Sequence, residues 1–126
     1  MSEEIRSYRD LIVWQKAVDL CVEAYRLSKK LPKEELYALS DQIRRAAVSV
    51  PSNIAEGHAR HSRKDFAHFL MIAQGSIAEL ETQLYLAVRM AMLAESDVDS
   101  LMPLSGEVSK MLMSLRTKLS TNPPAH

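Results

Sequence analysis

Three glycines and a single cysteine in 126 residues exclude several kinds of protein at once. Cys21 alone closes no intramolecular disulfide and builds no paired-cysteine zinc site, so the chain is not a disulfide-stapled scaffold. So little glycine supplies too few turns for a sheet of many short strands, whereas seven methionines suit helices. Glycine-rich phosphate loops, nucleophile elbows and HExxH zinc motifs are all absent. No apolar run approaches the roughly 20 residues that cross a bilayer, so no membrane role is expected. Net charge is missing too: Lys plus Arg and Asp plus Glu are both 16. No global field therefore draws in a polyanion, and any nucleic-acid affinity must come from a local patch. With no leader pattern before the first helix and one cysteine, a reducing cytoplasm is the expected compartment.

What is present is helical periodicity. Hydrophobic residues make 47% of the chain and charged residues 25%, enough of each for one globular core, and residues 1–126 read as one domain. Leu11, Trp14, Val18, Cys21 and Tyr25 form one stripe beside a second through Ala17, Leu20, Ala24, Leu27 and Leu31, which predicts a helix over about 9–31 closed by Pro32. Leu39, Ile43, Ala47, Val50 and Ile54 predict a second over about 39–59, with Ser40 as N-cap, a kink at Pro51 and an end near Gly57. Ser62 followed by Asp65 caps a third over about 62–94, in phase from Phe66 through Leu70, Ile77 and Leu84 to Ala91. A fourth covers about 97–120, bent at Pro103, and the tail 121–126 should be disordered. Short connections arrange four such helices as an all-α, antiparallel, up-down-up-down four-helix bundle. At 1.5 Å per residue the third would run roughly 45 Å against roughly 33 Å for the first. The overhang calls for a partner chain. Gly75, inside the third helix beside Ser76, predicts a tight crossing, either in the core or at an interface.

Chemistry has four candidate locations. Arg60, Arg63 and Lys64, with Arg44 and Arg45 about four turns upstream, are cations for phosphates, against the alternative of a solvated loop in which Glu56 and Asp65 neutralise them. His61, Asp65 and His68 recur at i, i+4 and i+7 as metal ligands would, but one helix rarely completes such a site, and neither metal nor cofactor is expected. Arg63 and His68 spell R-x4-H, which resembles the motif of HEPN-type ribonucleases; there His68 would be the general acid or base and Arg63 the stabiliser of the phosphorane. Finally, Arg45, Ser49, Ser52, Asn53, Glu56 and Arg60 on the second helix, with Gln74, Glu79, Glu81 and Gln83 on the third, are polar groups near a core. They either pair between helices or subunits or form a hydrated outer face. No small-molecule substrate is expected.

The segments DLIVWQKAVDL (10–20), LSDQIRRAAVSVPSNIAEG (39–57) and FLMIAQGSIAELETQL (69–84) resemble the bacterial four-helix-bundle proteins encoded in intervening sequences of large-subunit ribosomal RNA genes. That family is similar in turn to the accessory variability proteins of diversity-generating retroelements, which form a homopentameric barrel and bind nucleic acid and a reverse transcriptase. The resemblance implies a homopentamer of bundles and an RNA-linked role; the function expected is a non-catalytic oligomeric scaffold that engages RNA or a nucleic-acid-associated protein, against the alternative of a purely structural hub that binds another protein. In the helix-two motif it matches Gln42, Arg44, Arg45, Ser49, Pro51, Asn53, Glu56, Gly57 and Arg60. Gly75 and Glu79 join them as expected assembly positions. The retroelement proteins are markedly basic; this chain is neutral.

Overall fold

The computed structural model describes residues 5–120; the expected disordered tail lies outside them. Its long helices are α1 (Ile12–Ser28), α2 (Leu39–Ala59), α3 (Arg63–Arg89) and α5 (Leu101–Ser120), with the single turn α4 (Glu95–Val98) before the last. α1 packs on α2 and α5, and α3 on the same two, closing an antiparallel four-helix bundle. Leu20, Ile43, Ile54, Leu70, Ile77, Leu80, Leu84, Leu101 and Leu112 fill its core and are essentially sealed from solvent. The four long helices are those the apolar stripes predict. Where they begin and end differs, for local reasons.

The first helix is shorter than 9–31 at both ends. Asp10 accepts hydrogen bonds from the Arg6 and Ser7 amides, which winds Tyr8–Asp10 into a separate 3-10 turn, and Leu11 is extended at φ −76°, ψ 125°. At the other end Leu31 precedes Pro32, whose ring disfavours helical geometry in the residue before it. Ser40 is not the N-cap of α2. It lies inside the helix, buried, and its hydroxyl donates to the Ser28 carbonyl at 3.2 Å, tying the end of α1 to the start of α2. The amide of Leu39 is met instead by the Glu35 carboxylate at 3.3 Å. α2 is continuous through Pro51.

Ser62 does cap α3, accepting from the Asp65 amide at 3.2 Å. The helix stops at Arg89 and not near 94 because Ala91 turns left-handed at φ 60°. Met92 and Ala91 then donate back to the Ala87 and Val88 carbonyls, a Schellman ending that usually carries glycine. α5 begins at Leu101 and not at 97, because Asp97 is used as a cap: its carboxylate accepts from the Ala94 amide at 2.8 Å and from Lys30 at 3.0 Å. Pro103 falls in the first turn of α5, where its missing N–H costs no helical bond, so the expected bend has no cause there. With 27 residues against 17, α3 is about 40 Å long and α1 about 25 Å.

Candidate functional site

Helix α2 carries its two groups of arginines at opposite ends. Arg44 and Arg45 lie in its first two turns and Arg60 just past its last, about 22 Å along the axis, so one chain does not gather the five cations into a single patch. Most of them are also engaged. Arg45 pairs with Asp41 at 2.8 Å, a hydrogen bond that raises its already high pKa, and Arg44 donates to the Leu36 carbonyl at 3.0 Å. Arg60 pairs with Glu56 at 2.9 Å while its guanidinium rests over the Phe69 ring. Arg63 donates to the carbonyls of Lys118 and Leu119 at the end of α5, satisfying acceptors the helix leaves open. Lys64 lines an open groove of about 370 Å³ together with His68, Met71, Met113, Arg116 and Thr117.

The polar stripe resolves into two parts. Inside, Asn53 donates to the carbonyl and hydroxyl of Ser49 at 2.7 and 2.8 Å, and Ser49 shares a 2.7 Å hydrogen bond with Ser76, joining α2 to α3 through small side chains. Outside, Gln42, Arg45, Ser49, Glu79 and Gln83 line a groove of about 340 Å³. In it Gln83 Oε1 is buried and, among the described residues, has no hydrogen-bond partner. Gln74 and Glu81 face the other neighbour, α5, where they bond Arg116 and Ser105.

The two helical glycines of α2 and α3 behave oppositely. A Cβ on Gly57 would meet Phe69 Cβ at 2.6 Å, so the close helix approach lies here. Gly75 meets nothing within 4 Å and is exposed, which rules out the core version of the tight crossing expected at that position.

Arg63 and His68 do not converge. Five residues along a helix rotate by about 140°, and Arg63 is committed to the end of α5 while His68 stacks edge-on against Phe69. Among the described residues no three His, Cys, Asp or Glu side chains are placed to hold a metal, His61, Asp65 and His68 included. His61 instead makes the α2–α3 turn, at φ 56°. Also among the described residues, no helix is long and apolar enough to cross a membrane. Arg116 escaped the sequence reading, although its signal is there: Leu101, Ser105, Val108 and Leu112 are the buried positions of α5, and the next step of four lands on this charge.

Bundle and grooves define an all-α helical-bundle protein whose candidate sites, among the described residues, are open surfaces. The chain belongs to the family described as 23S rRNA-intervening sequence protein, which matches residues 9–114. It is similar to a crystal structure of a protein with unknown function from the S23 ribosomal protein family of Bacteroides thetaiotaomicron, at 30% sequence identity and a TM-score of 0.77, covering 87% of this chain and 100% of that one. Among curated proteins, none matches.

Proposed function

We propose that the protein is a non-catalytic scaffold of the cytoplasm that assembles with copies of itself, as a homopentamer, through the outer face of α2 and α3, and presents the assembly to RNA or a nucleic-acid-associated protein. The observation that carries the self-assembly is the unmatched Gln83 oxygen. A buried acceptor without a donor costs about 1–3 kcal/mol, and a donor from a neighbouring chain removes that cost. Its surroundings suit a helix contact. Ile72, Gly75, Glu79, Gln83 and Leu86 recur at steps of three and four along one side of α3, with Ile72 and Leu86 37% and 39% exposed and open space over Gly75. On α2 the same groove offers Gln42, Arg45 and Ser49. The five-fold number comes from the family resemblance, not from this face.

Sedimentation equilibrium tests the reading: a mass near five times 14.2 kDa is expected, and 14.2 kDa at micromolar concentration would sink it. Gly75→Leu sharpens the test, since the added side chain has room within the chain and obstructs only a neighbour. The variant should keep its helical circular dichroism and fall to monomer mass. If it keeps the wild-type mass, α3 is not the contact.

A further inference from the structure

The groove between the start of α3 and the end of α5 gathers Lys64, His68 and Arg116 and is lined by no carboxylate. Lys16, Arg26, Lys30, Arg44, Arg45 and Arg60 each have a carboxylate within 4 Å. Among the described residues Lys64 and Arg116 have none, and no Asp or Glu lines the groove they share with His68. Arg116 is half-buried and aimed by its hydrogen bond to Gln74, which occupies one of five guanidinium N–H donors and leaves others for a ligand. Lys64 stands in the first turn of α3, the positive end of that helix. The opposing negative end, the last turn of α5, has carbonyls covered by Arg63. Arg63 therefore acts as a screen beside the groove.

Its apolar lining is deformable. Met71 and Met113 are 48% and 58% exposed, and thioethers pack well against a flat ring. A volume of about 370 Å³ is at the lower end of small-ligand sites.

The geometry points to a nucleotide-binding groove, in which Lys64, His68 and Arg116 hold a phosphate and the two methionines pack against the attached sugar and base. The inference rests on the proposed RNA partner for the source of the nucleotide, and not on the assembly. It moves the phosphate contact from the arginines of α2 to the α3–α5 seam.

The test is fluorescence anisotropy with a short labelled single-stranded RNA at low and high salt, with adenosine monophosphate as competitor. Wild type is compared with Lys64→Gln/His68→Gln and, as the α2 variant, with Arg60→Gln, which lies outside the assembly groove, each checked for unchanged thermal midpoint and mass. All three positions are exposed, so the fold should survive. The groove variant should weaken RNA binding about tenfold, as loss of charge-assisted hydrogen bonds does, while the α2 variant binds as wild type. Competition by the monophosphate identifies a site for a single nucleotide; binding that only RNA achieves identifies a phosphate read within a strand. Binding of the monophosphate but not of RNA keeps the groove and removes the RNA partner. If the α2 variant loses binding and the groove variant does not, the inference is overturned and the RNA partner stands. No binding of either ligand by wild type overturns both.

Discussion

Helix α3 makes two seams of different construction. Toward α2 it packs closely, through Gly57 under Phe69 and the Asn53–Ser49–Ser76 hydrogen bonds, with the Arg60 guanidinium resting over the Phe69 ring. Toward α5 it is bridged by longer reaches: Arg63 to the terminal carbonyls, Gln74 to Arg116 and Glu81 to Ser105. Close packing leaves no tolerance for added volume. Bridges by flexible side chains tolerate truncation, and they leave a groove open between the helices. Close packing and adaptable bridging are thus divided between the two sides of one helix.

A charge in the shared core should break both seams. Leu84 is 1% exposed, and Leu84→Asp would bury a carboxylate without a partner at a cost of several kcal/mol, comparable to the whole stability of a domain this size. Circular dichroism on heating should lose its cooperative transition; a midpoint close to wild type would refute the shared core. Next in size, Gly57→Ala should lower stability by about 1–3 kcal/mol in urea denaturation, even though alanine is the better helix former, because the methyl group collides with Phe69. A stabilised variant would mean the approach is looser than 2.6 Å implies. The contrast between seams is measured by Ser76→Ala, expected to cost about 1–2 kcal/mol, against Gln74→Ala at about 0.5–1 kcal/mol. The reverse order would remove the distinction.

The smallest effect concerns pH and lies outside both seams. The Ala94 amide, and then the Lys30 ammonium, hold the Asp97 carboxyl below its ordinary range. A depressed carboxyl contributes stability above its unfolded value, near 3.8, and loses it as the pH falls through the lower folded value. Acidification should therefore lower the thermal midpoint, and Asp97→Asn should flatten that limb. Parallel curves for the two proteins would show that the link of Lys30 to α4 is inert.

The interior of α2 was legible in the sequence because its apolar stripe from Leu39 to Ile54 keeps one phase without competition. Its ion pairs were legible in principle as well, since Asp41–Arg45 and Glu56–Arg60 are four residues apart. Helix ends were less so. Ala91 takes a left-handed conformation with no glycine to announce it, and Ser40 has the look of a cap but bonds a carbonyl twelve residues back. The engagement of Arg63 was not readable at all: its partners are 55 and 56 residues away, and only the closure of the bundle brings them near. The same holds for Gln83, whose isolation depends on what α2 places around it.

Arg63 also ties the timing of folding to the ribosome. The carbonyls it binds belong to Lys118 and Leu119, which are translated after α1, α2 and α3 are complete at Arg89. At about 5–20 residues per second, roughly 30 further residues take a few seconds. Until α5 has been made, the sides of α1 and α3 that it packs on have no cover from Leu101, Val108 and Leu112, and the Arg63 bonds cannot form.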